Sequence, residues 1–363
     1  MERYLQILIP VQQKYKGLGS EVRNANVPSL DSVVMEVTVK KRNFVVILII
    51  ISTFGLVLGG CQKSSDHFLS YQEEISSSEF DMGNIFSEHD FFAKDLVIIP
   101  GEGSSGNDEL INSEAALLVD ITKGETLYSK NVYDKLYPAS LTKLVTALVA
   151  LQRGELTDSV TISYNASHIS ESGAKLCGFE EGDILKLDTL LHCMLVYSGN
   201  DAALAVAEHL AGSEEEFVKL MNDEAVQIGA VDSNFINSHG LHDDNQFTTA
   251  YDIYLFFNEL IQNDTFRSIV SMSSYTAEFM DKDGNSKDKT FNTTNQYLLG
   301  DRPQPENTLV IGGKSGTTSK AGNCLILLSQ GATGTDYISL VLKAADQEQL
   351  YSEIQLLISE TIE

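Results

Sequence analysis

Ser140 and Lys143 stand three residues apart at the head of the stretch LYPASLTKLVTALVAL, residues 136–151. Residues at i and i+3 share one face of a helix, so a hydroxyl and an amine are brought side by side there. From Leu141 onward the stretch reads as a buried helix, with Leu144, Val145, Leu148 and Val149 at helical spacing. Pro138 biases Tyr137 toward extended backbone, which sets the helix start at Ser140. A lysine buried on such a helix is costly as an ammonium unless it is paired. Burial and the partial positive charge of a helix N-terminus both push it toward the neutral amine. A neutral amine beside a serine can take the hydroxyl proton, which is the chemistry of an activated nucleophile. Taken alone the pair is a weak signal, because a helix cap followed by a solvated charge gives the same pattern.

Two further stretches carry groups suited to that chemistry. YSGNDAA puts Ser198 and Asn200 at a junction between two helical runs, and IGGKSGTTSKAGN puts Lys314, Ser315 and Gly316 at the end of a strand-like run. Each tripeptide is nearly worthless by itself. In this order, on elements of these types, the three match the Ser-x-x-Lys, Ser-Asp-Asn and Lys-Thr-Gly set of penicillin-binding proteins and class A β-lactamases.

The elements that must position these groups follow from the pattern on either side. AALLVDI and ETLYSK, separated by Thr122-Lys123-Gly124, read as a hairpin. KLDTLLHCMLVYS is an amphipathic helix with Leu187, Leu190, Leu191, Met194 and Leu195 on one stripe, and DAALAVAEHLAG is a second that stops at Gly212. Ser213 with Glu216, and Thr249 with Asp252, open two more with helix-capping signatures. NTLVIGGKSG, NCLILLSQG and DYISLVLKA then read as consecutive antiparallel strands, and Leu350, Ile354, Leu357 and Ile358 mark a last helix. Strands, many helices, three strands and a helix imply an α+β domain over 111–363. Its antiparallel sheet is closed by the first and last segments, is flanked by helices and carries an inserted helical subdomain.

The 363-residue chain has 25 Lys+Arg against 51 Asp+Glu, a formal charge of −26, which argues against nucleic acid as a partner. Residues 40–42 are basic, Phe44 to Leu58 are apolar, and Gly59-Gly60 precede Cys61. The apolar run is shorter than the roughly 20 residues a membrane-spanning helix needs and fits a secretory signal. The small residues before Cys61 resemble the lipobox of bacterial lipoproteins, in which the signal is cut and the cysteine acylated. Residues 35–60 are therefore expected to be a lipoprotein signal, and 61–110 a lipidated cysteine with a Ser/Asp/Glu/Gly-rich tether. Residues 1–34 are an extension ahead of Met35, the better signal start. The expected location is the outer face of the bacterial cell membrane; the alternatives are secretion or an uncleaved N-terminal helix. Cys177, Cys193 and Cys324 show no metal-ligand spacing, and no disulfide is expected, although a Cys177–Cys324 or Cys177–Cys193 bridge stays open.

From about 111 to 345 the sequence resembles the D-alanyl-D-alanine carboxypeptidases, the low-molecular-mass penicillin-binding proteins of the S11 serine peptidase family. Beyond the three motifs, the run from SGNDAALAVAEHLAG to SHGLHDDNQFTTAYDI is similar throughout, as is GGKSGTTSKAGNCL. It departs from the family in having Lys-Ser-Gly for the commoner Lys-Thr-Gly, which keeps the hydroxyl. The chain also stops soon after the matching part, where many members continue into a β-rich domain and an amphipathic anchor; a lipid on Cys61 is expected to replace that anchor. The resemblance implies a β-lactamase/transpeptidase-like fold. It also implies cleavage of the terminal D-alanine from peptidoglycan stem peptides, covalent inhibition by β-lactams, and no metal or organic cofactor. Ser140 would be the nucleophile, Lys143 its base and Ser198 a proton relay to the leaving amine. Asn200 would orient Lys143 and the peptide. Lys314, with Ser315 and Gly316, would receive the terminal carboxylate, its charge also depressing the Lys143 pKa. The N–H groups of Ser140 and Thr317 would form the oxyanion hole.

Two other readings compete. A β-lactamase of class A needs a glutamate to activate the deacylating water, typically in Glu-x-x-Leu-Asn, and that pentapeptide is absent. A non-catalytic surface lipoprotein of the same fold would be expected to have lost a motif residue, and only Ser315 leaves that reading open. His239 and His242 could be read as a metal pair, but they fall in a loop that the resemblance makes structural.

Overall fold

A computed structural model describes residues 111–361 of the chain. The expected extension, signal, lipidated Cys61 and tether, residues 1–110, lie outside the described residues.

Strands β1 (Ala115–Asp120) and β2 (Glu125–Lys130) form the expected hairpin. Strands β7 (Thr308–Thr318), β8 (Gly322–Gly331) and β9 (Asp336–Ala344) form a meander. β1 pairs with β9 along its whole length, Ala115 opposite Leu342 through Asp120 opposite Tyr337, giving an antiparallel sheet of order β2-β1-β9-β8-β7. First and last segments thus close one sheet, and β7 lies at its edge.

Side chains alternate across this sheet with the two-residue period of a strand. Leu117, Val119, Ile326, Leu328, Ile338 and Leu340 enter one apolar cluster, which includes helix α1 (Thr142–Arg153) and the other inserted helices. Leu118, Leu325, Leu327 and Val341 face the other way, against Leu350, Ile354, Leu357 and Ile358 of the last helix, Gln347–Thr361. Both faces of the sheet are covered, which is why its three long strands read as nearly continuous apolar runs.

Between β2 and β7 lie all the described helices but the last, and a second, smaller sheet. α2 (Tyr164–Ser167) and α3 (Leu187–His192) are short. α4 (Asn200–Ala211) ends at Gly212 in left-handed conformation, as expected of a glycine C-cap. α5 (Glu214–Gln227) and α6 (Ala250–Leu260) begin at Ser213 and Thr249, whose side chains accept the N–H of Glu216 and Asp252. α7 (Asp264–Val270), α8 (Gln296–Leu299) and α9 (Gln347–Thr361) complete the set. The second sheet runs β3 (Ser159–Thr161), β4 (Ile184–Lys186), β5 (Ser274–Met280) and β6 (Ser286–Asn292), all antiparallel. It adds a strand component to the insertion expected to be helical.

α1 is the central helix. Every residue from Thr142 to Ala150 is buried, so the helix has no wet face on which Lys143 could keep its charge hydrated.

Candidate active site

The chain approaches α1 through two unusual backbone positions. Ala139 has φ of +48° although it carries a Cβ, and a 3₁₀ turn over Ala139–Leu141 precedes the α-helix proper at Thr142. Ser140 therefore sits in a tight turn one step before the regular helix rather than on its first residue. The cause is the left-handed Ala139, which the Pro138 signal does not encode. Such positions cost about 1–3 kcal/mol and persist only where surrounding structure holds them. Here two close approaches do so. Gly316 of β7 comes so near that a Cβ there would stand 2.8 Å from the Ser140 nitrogen. Gly240, with φ of +88°, leaves no room for a Cβ, which would overlap the Ala139 carbonyl oxygen.

A second left-handed residue flanks the other motif. After α3 the helix continues with π hydrogen bonding over Cys193–Tyr197 and stops at Ser198, φ +72°. A single continuous helix is what the apolar stripe predicts; the π turn shifts the register of the last residues. The left-handed Ser198 then turns the chain, so that Asn200 opens α4. π segments of this kind recur at functional sites.

These turns bring Ser140, Ser198, Asn200, Ser315, Gly316 and Thr317 to the lining of one cleft of about 250 Å3. Lys143 lies at its base, fully buried. Its Nζ is 2.6 Å from Asn200 Oδ1, 2.5 Å from the His239 carbonyl oxygen and 3.0 Å from Ser140 Oγ. Burial lowers its pKa from 10.5 to about 7, helped by the Lys175 charge and opposed by Asp201. Each unit of that shift is about 1.4 kcal/mol against the ammonium.

A neutral amine has two N–H bonds and one lone pair. Asn200 Oδ1 and the His239 carbonyl can only accept, so they take both hydrogens and the lone pair is left facing Ser140 Oγ. In its neutral form the Lys143 amine is thus able to accept a proton from Ser140 Oγ.

On the opposite wall β7 presents Lys314, also buried, whose Nζ donates to Ser198 Oγ at 2.9 Å and to the Ser315 carbonyl at 2.7 Å. Burial, then Lys143 and Lys175, hold its pKa well below the usual range. The Lys175 charge adds to burial in lowering the Lys143 pKa, and Lys143 and Lys314 disfavour each other's ammonium as two buried cations must. Ser315 Oγ donates to Thr294 Oγ1 at 2.7 Å, so the serine of Lys-Ser-Gly holds its hydroxyl in the cleft. Thr317 is exposed at the mouth.

Three participants escape the motif reading. Lys175 and Thr294 line the cleft from segments without a motif signal. Asp201 accepts the N–H groups of Cys177 and Gly178 at 2.9 and 2.8 Å, fastening the Lys175 loop to the start of α4. The Asn-Asp pair at a helix start is the one hint of it in the sequence.

His239 supplies only its carbonyl to Lys143. Burial and the neighbouring Lys143 lower its imidazole pKa to about 3, so the ring is neutral although Nε2 lies 3.6 Å from Glu214. His242 stacks edge-on against Tyr137. Among the described residues no group of three His, Cys, Asp or Glu is placed to hold a metal. Cys177, Cys193 and Cys324 are buried free thiols.

An antiparallel sheet flanked by helices, with a serine–lysine pair between sheet and insertion, defines the α+β β-lactamase/transpeptidase-like class. Solved structures of similar fold include a single-residue mutant of the Streptomyces K15 DD-transpeptidase, with TM-score 0.63 and 25% identity over 68% of this chain and 96% of that one. Penicillin binding protein 5 from Haemophilus influenzae gives a TM-score of 0.61 and 28% identity over 70% and 72%. Residues 103–346 match the S11 peptidase family, described as D-alanyl-D-alanine carboxypeptidase, and the chain belongs to that family. It is 31% identical over 228 residues to the D-alanyl-D-alanine carboxypeptidase DacF of Bacillus subtilis, covering 62% of this chain and 56% of the relative. With DacC of Escherichia coli it is 32% identical over 259 residues, 69% of this chain and 61% of the relative. The match thus spans about three-fifths of the length of these curated relatives.

Proposed function

We propose that this chain is a serine-type carboxypeptidase that removes the terminal D-alanine from peptidoglycan stem peptides through an acyl-enzyme on Ser140. The observation that carries the reading is the buried Lys143 Nζ, 3.0 Å from Ser140 Oγ and held by two oxygens that can only accept. Ser140 attacks the carbonyl between the two D-alanines while its proton passes to Lys143. The N–H groups of Ser140 and Thr317 receive the oxyanion. Ser198 Oγ, bonded to Lys314, hands a proton to the departing amine. Lys314 meets the terminal carboxylate, which restores the charge that burial disfavours, and Ser315 and Thr317 offer hydroxyls to the same group. Water then releases the shortened peptide. β-Lactams acylate the same serine. Their adduct is long-lived on this reading, since among the described residues no carboxylate lines the cleft to activate water. The reading further puts the domain outside the cytoplasm, held to the membrane through a lipid on Cys61, because residues 40–61 run basic, apolar, small and cysteine.

The test is release of D-alanine from diacetyl-L-lysyl-D-alanyl-D-alanine as a function of pH. Lys143 must be neutral to act. Log kcat/KM is therefore expected to fall by about one unit per pH unit below a pKa near 7 and to level off above it. No D-alanine release from folded protein would contradict the reading.

A further inference from the structure

Two contacts that shape the Ser140–Lys143 pair come from one short turn, Ser238 to Gly240. The His239 carbonyl accepts a hydrogen of Lys143 at 2.5 Å, and Gly240 fits against the Ala139 carbonyl at the left-handed step before Ser140. The turn lies outside helix and strand, so its shape depends on the side chains that grip it. Asn237 Oδ1 accepts the N–H groups of His239 and Gly240 at 3.3 and 2.7 Å, from within the same loop. Thr146 of α1, one turn past Lys143, donates to the Ser238 carbonyl at 2.6 Å. The third grip comes from another element. Glu214, the first residue of α5, accepts both the N–H and the hydroxyl of Ser238 on Oε1, at 2.8 and 2.7 Å.

The same carboxylate oxygen lies 3.6 Å from His239 Nε2. Nδ1 of that ring accepts the Leu241 N–H at 3.2 Å, so the neutral imidazole carries its hydrogen on Nε2, toward Glu214. Ser238 is fully buried, and leaving its N–H and hydroxyl without an acceptor there is costly. An ionised acceptor makes the stronger bonds. Through them the turn is clamped between α5, which holds Ser238 N–H and Oγ, and α1, which holds the Ser238 carbonyl and bears Lys143. We propose that Glu214 is a positioning residue for proton transfer: it fixes the Ser238–Gly240 turn so that the His239 carbonyl holds Lys143 Nζ against Ser140 Oγ. Glu214 lies outside the cleft lining and touches none of the reacting atoms. The role rests on the reading of Lys143 as the base and deepens it.

The experiment follows acylation of Ser140 by penicillin G, and release of D-alanine from diacetyl-L-lysyl-D-alanyl-D-alanine, against pH on the full-length chain and its variants. Glu214→Ala is expected to lower the plateau of both rates, reached well above the Lys143 pKa, by roughly thirtyfold, the scale of a small misplacement of a reacting group. Peptide affinity, measured by calorimetry in the Ser140→Ala background, is expected to stay the same. The midpoint of the pH profile is expected to move below about 7, because an ammonium makes the stronger bond to the His239 carbonyl and loses most when that carbonyl drifts. Asp201, Cys177, Lys175 and Lys314, whose charges act on or answer to Lys143, are left in place. Glu214→Gln removes the charge but keeps an oxygen for Ser238, and is expected to keep most of the plateau. Glu214→Asp keeps the charge at the helix start, which secures the fold, but is one methylene short of Ser238, and is expected to fall with alanine. Glu215→Ala, which removes a mostly exposed carboxylate from the same turn, is expected to change neither rate. An unchanged plateau in Glu214→Ala, an equal fall in Glu214→Gln or Glu215→Ala, or a loss confined to peptide affinity would overturn the role of Glu214 and leave the carboxypeptidase standing. Glu214-dependent acylation by penicillin, with no D-alanine released by the unaltered chain, would keep the positioning and overturn the carboxypeptidase. A folded, unaltered chain that shows neither reaction would overturn both.

Discussion

Replacing Lys143 by alanine is expected to slow acylation of Ser140 by penicillin G about a thousandfold, the middle of the range for loss of a positioned general base. The protein is expected to stay folded, with a melting temperature lowered by a few degrees. The truncation leaves the Asn200 and His239 oxygens without their donor, but it also removes an amine that burial disfavours as an ammonium. Two companion measurements make the result specific to proton transfer. Lys143→Arg keeps a cation and can reach the same oxygens, yet it cannot be deprotonated, so it is expected to be no faster than alanine. A small primary amine such as methylamine, added to Lys143→Ala, can enter the space left behind and is expected to recover part of the rate in its unprotonated form. A Lys143→Ala variant trapped by penicillin at the normal rate would mean that another base is at work.

Gly240→Ala is expected to cost several kcal/mol of stability and at least a hundredfold in acylation, although residue 240 has no part in the chemistry. Its φ of +88° disfavours any L side chain, and the added methyl would overlap the Ala139 carbonyl oxygen and stand 3.0 Å from the Ser140 nitrogen. Relief requires moving the turn that presents Ser140. Gly212→Ala isolates the two effects. It has a similar φ of +81° but nothing within 4 Å of the new methyl, so it pays the backbone term alone, about 1 kcal/mol, and should acylate normally. Thermal melts and penicillin acylation rates of the two variants check this. Equal behaviour of the pair would show that Gly240 does not hold the nucleophile's turn.

The parts of this fold that were legible in the sequence are those with a strong local signal. The β1–β2 hairpin has a glycine turn, α4 has Gly212, and α5 and α6 have Ser213 and Thr249; each begins or ends where those residues place it. The three motifs were legible through their order: Ser140, Ser198, Asn200 and Ser315 line the cleft, and the buried Lys143 and Lys314 bond to Ser140 and Ser198. The second sheet was not legible, because β3 and β4 are three residues long and β6, SKDKTFN, reads as a solvated loop. Its pairing with β5 from Ser274–Asn292 to Met280–Ser286 supplies what the sequence pattern lacks. The left-handed Ala139 and Ser198 were equally hidden, since neither residue type favours that conformation and only tertiary contacts impose it. Lys175 belongs to no motif, and its place beside Asn200 depends on a backbone hydrogen bond between segments 25 residues apart.

The central claim is that Ser140 forms a covalent acyl-enzyme with Lys143 as its base. Intact mass and peptide mapping of the full-length chain after incubation with penicillin G test it most directly. The account predicts one persistent penicilloyl group per chain, mapped to Ser140, and none on Ser140→Ala. A single adduct mapped to another residue, or a folded protein that carries none, would contradict it.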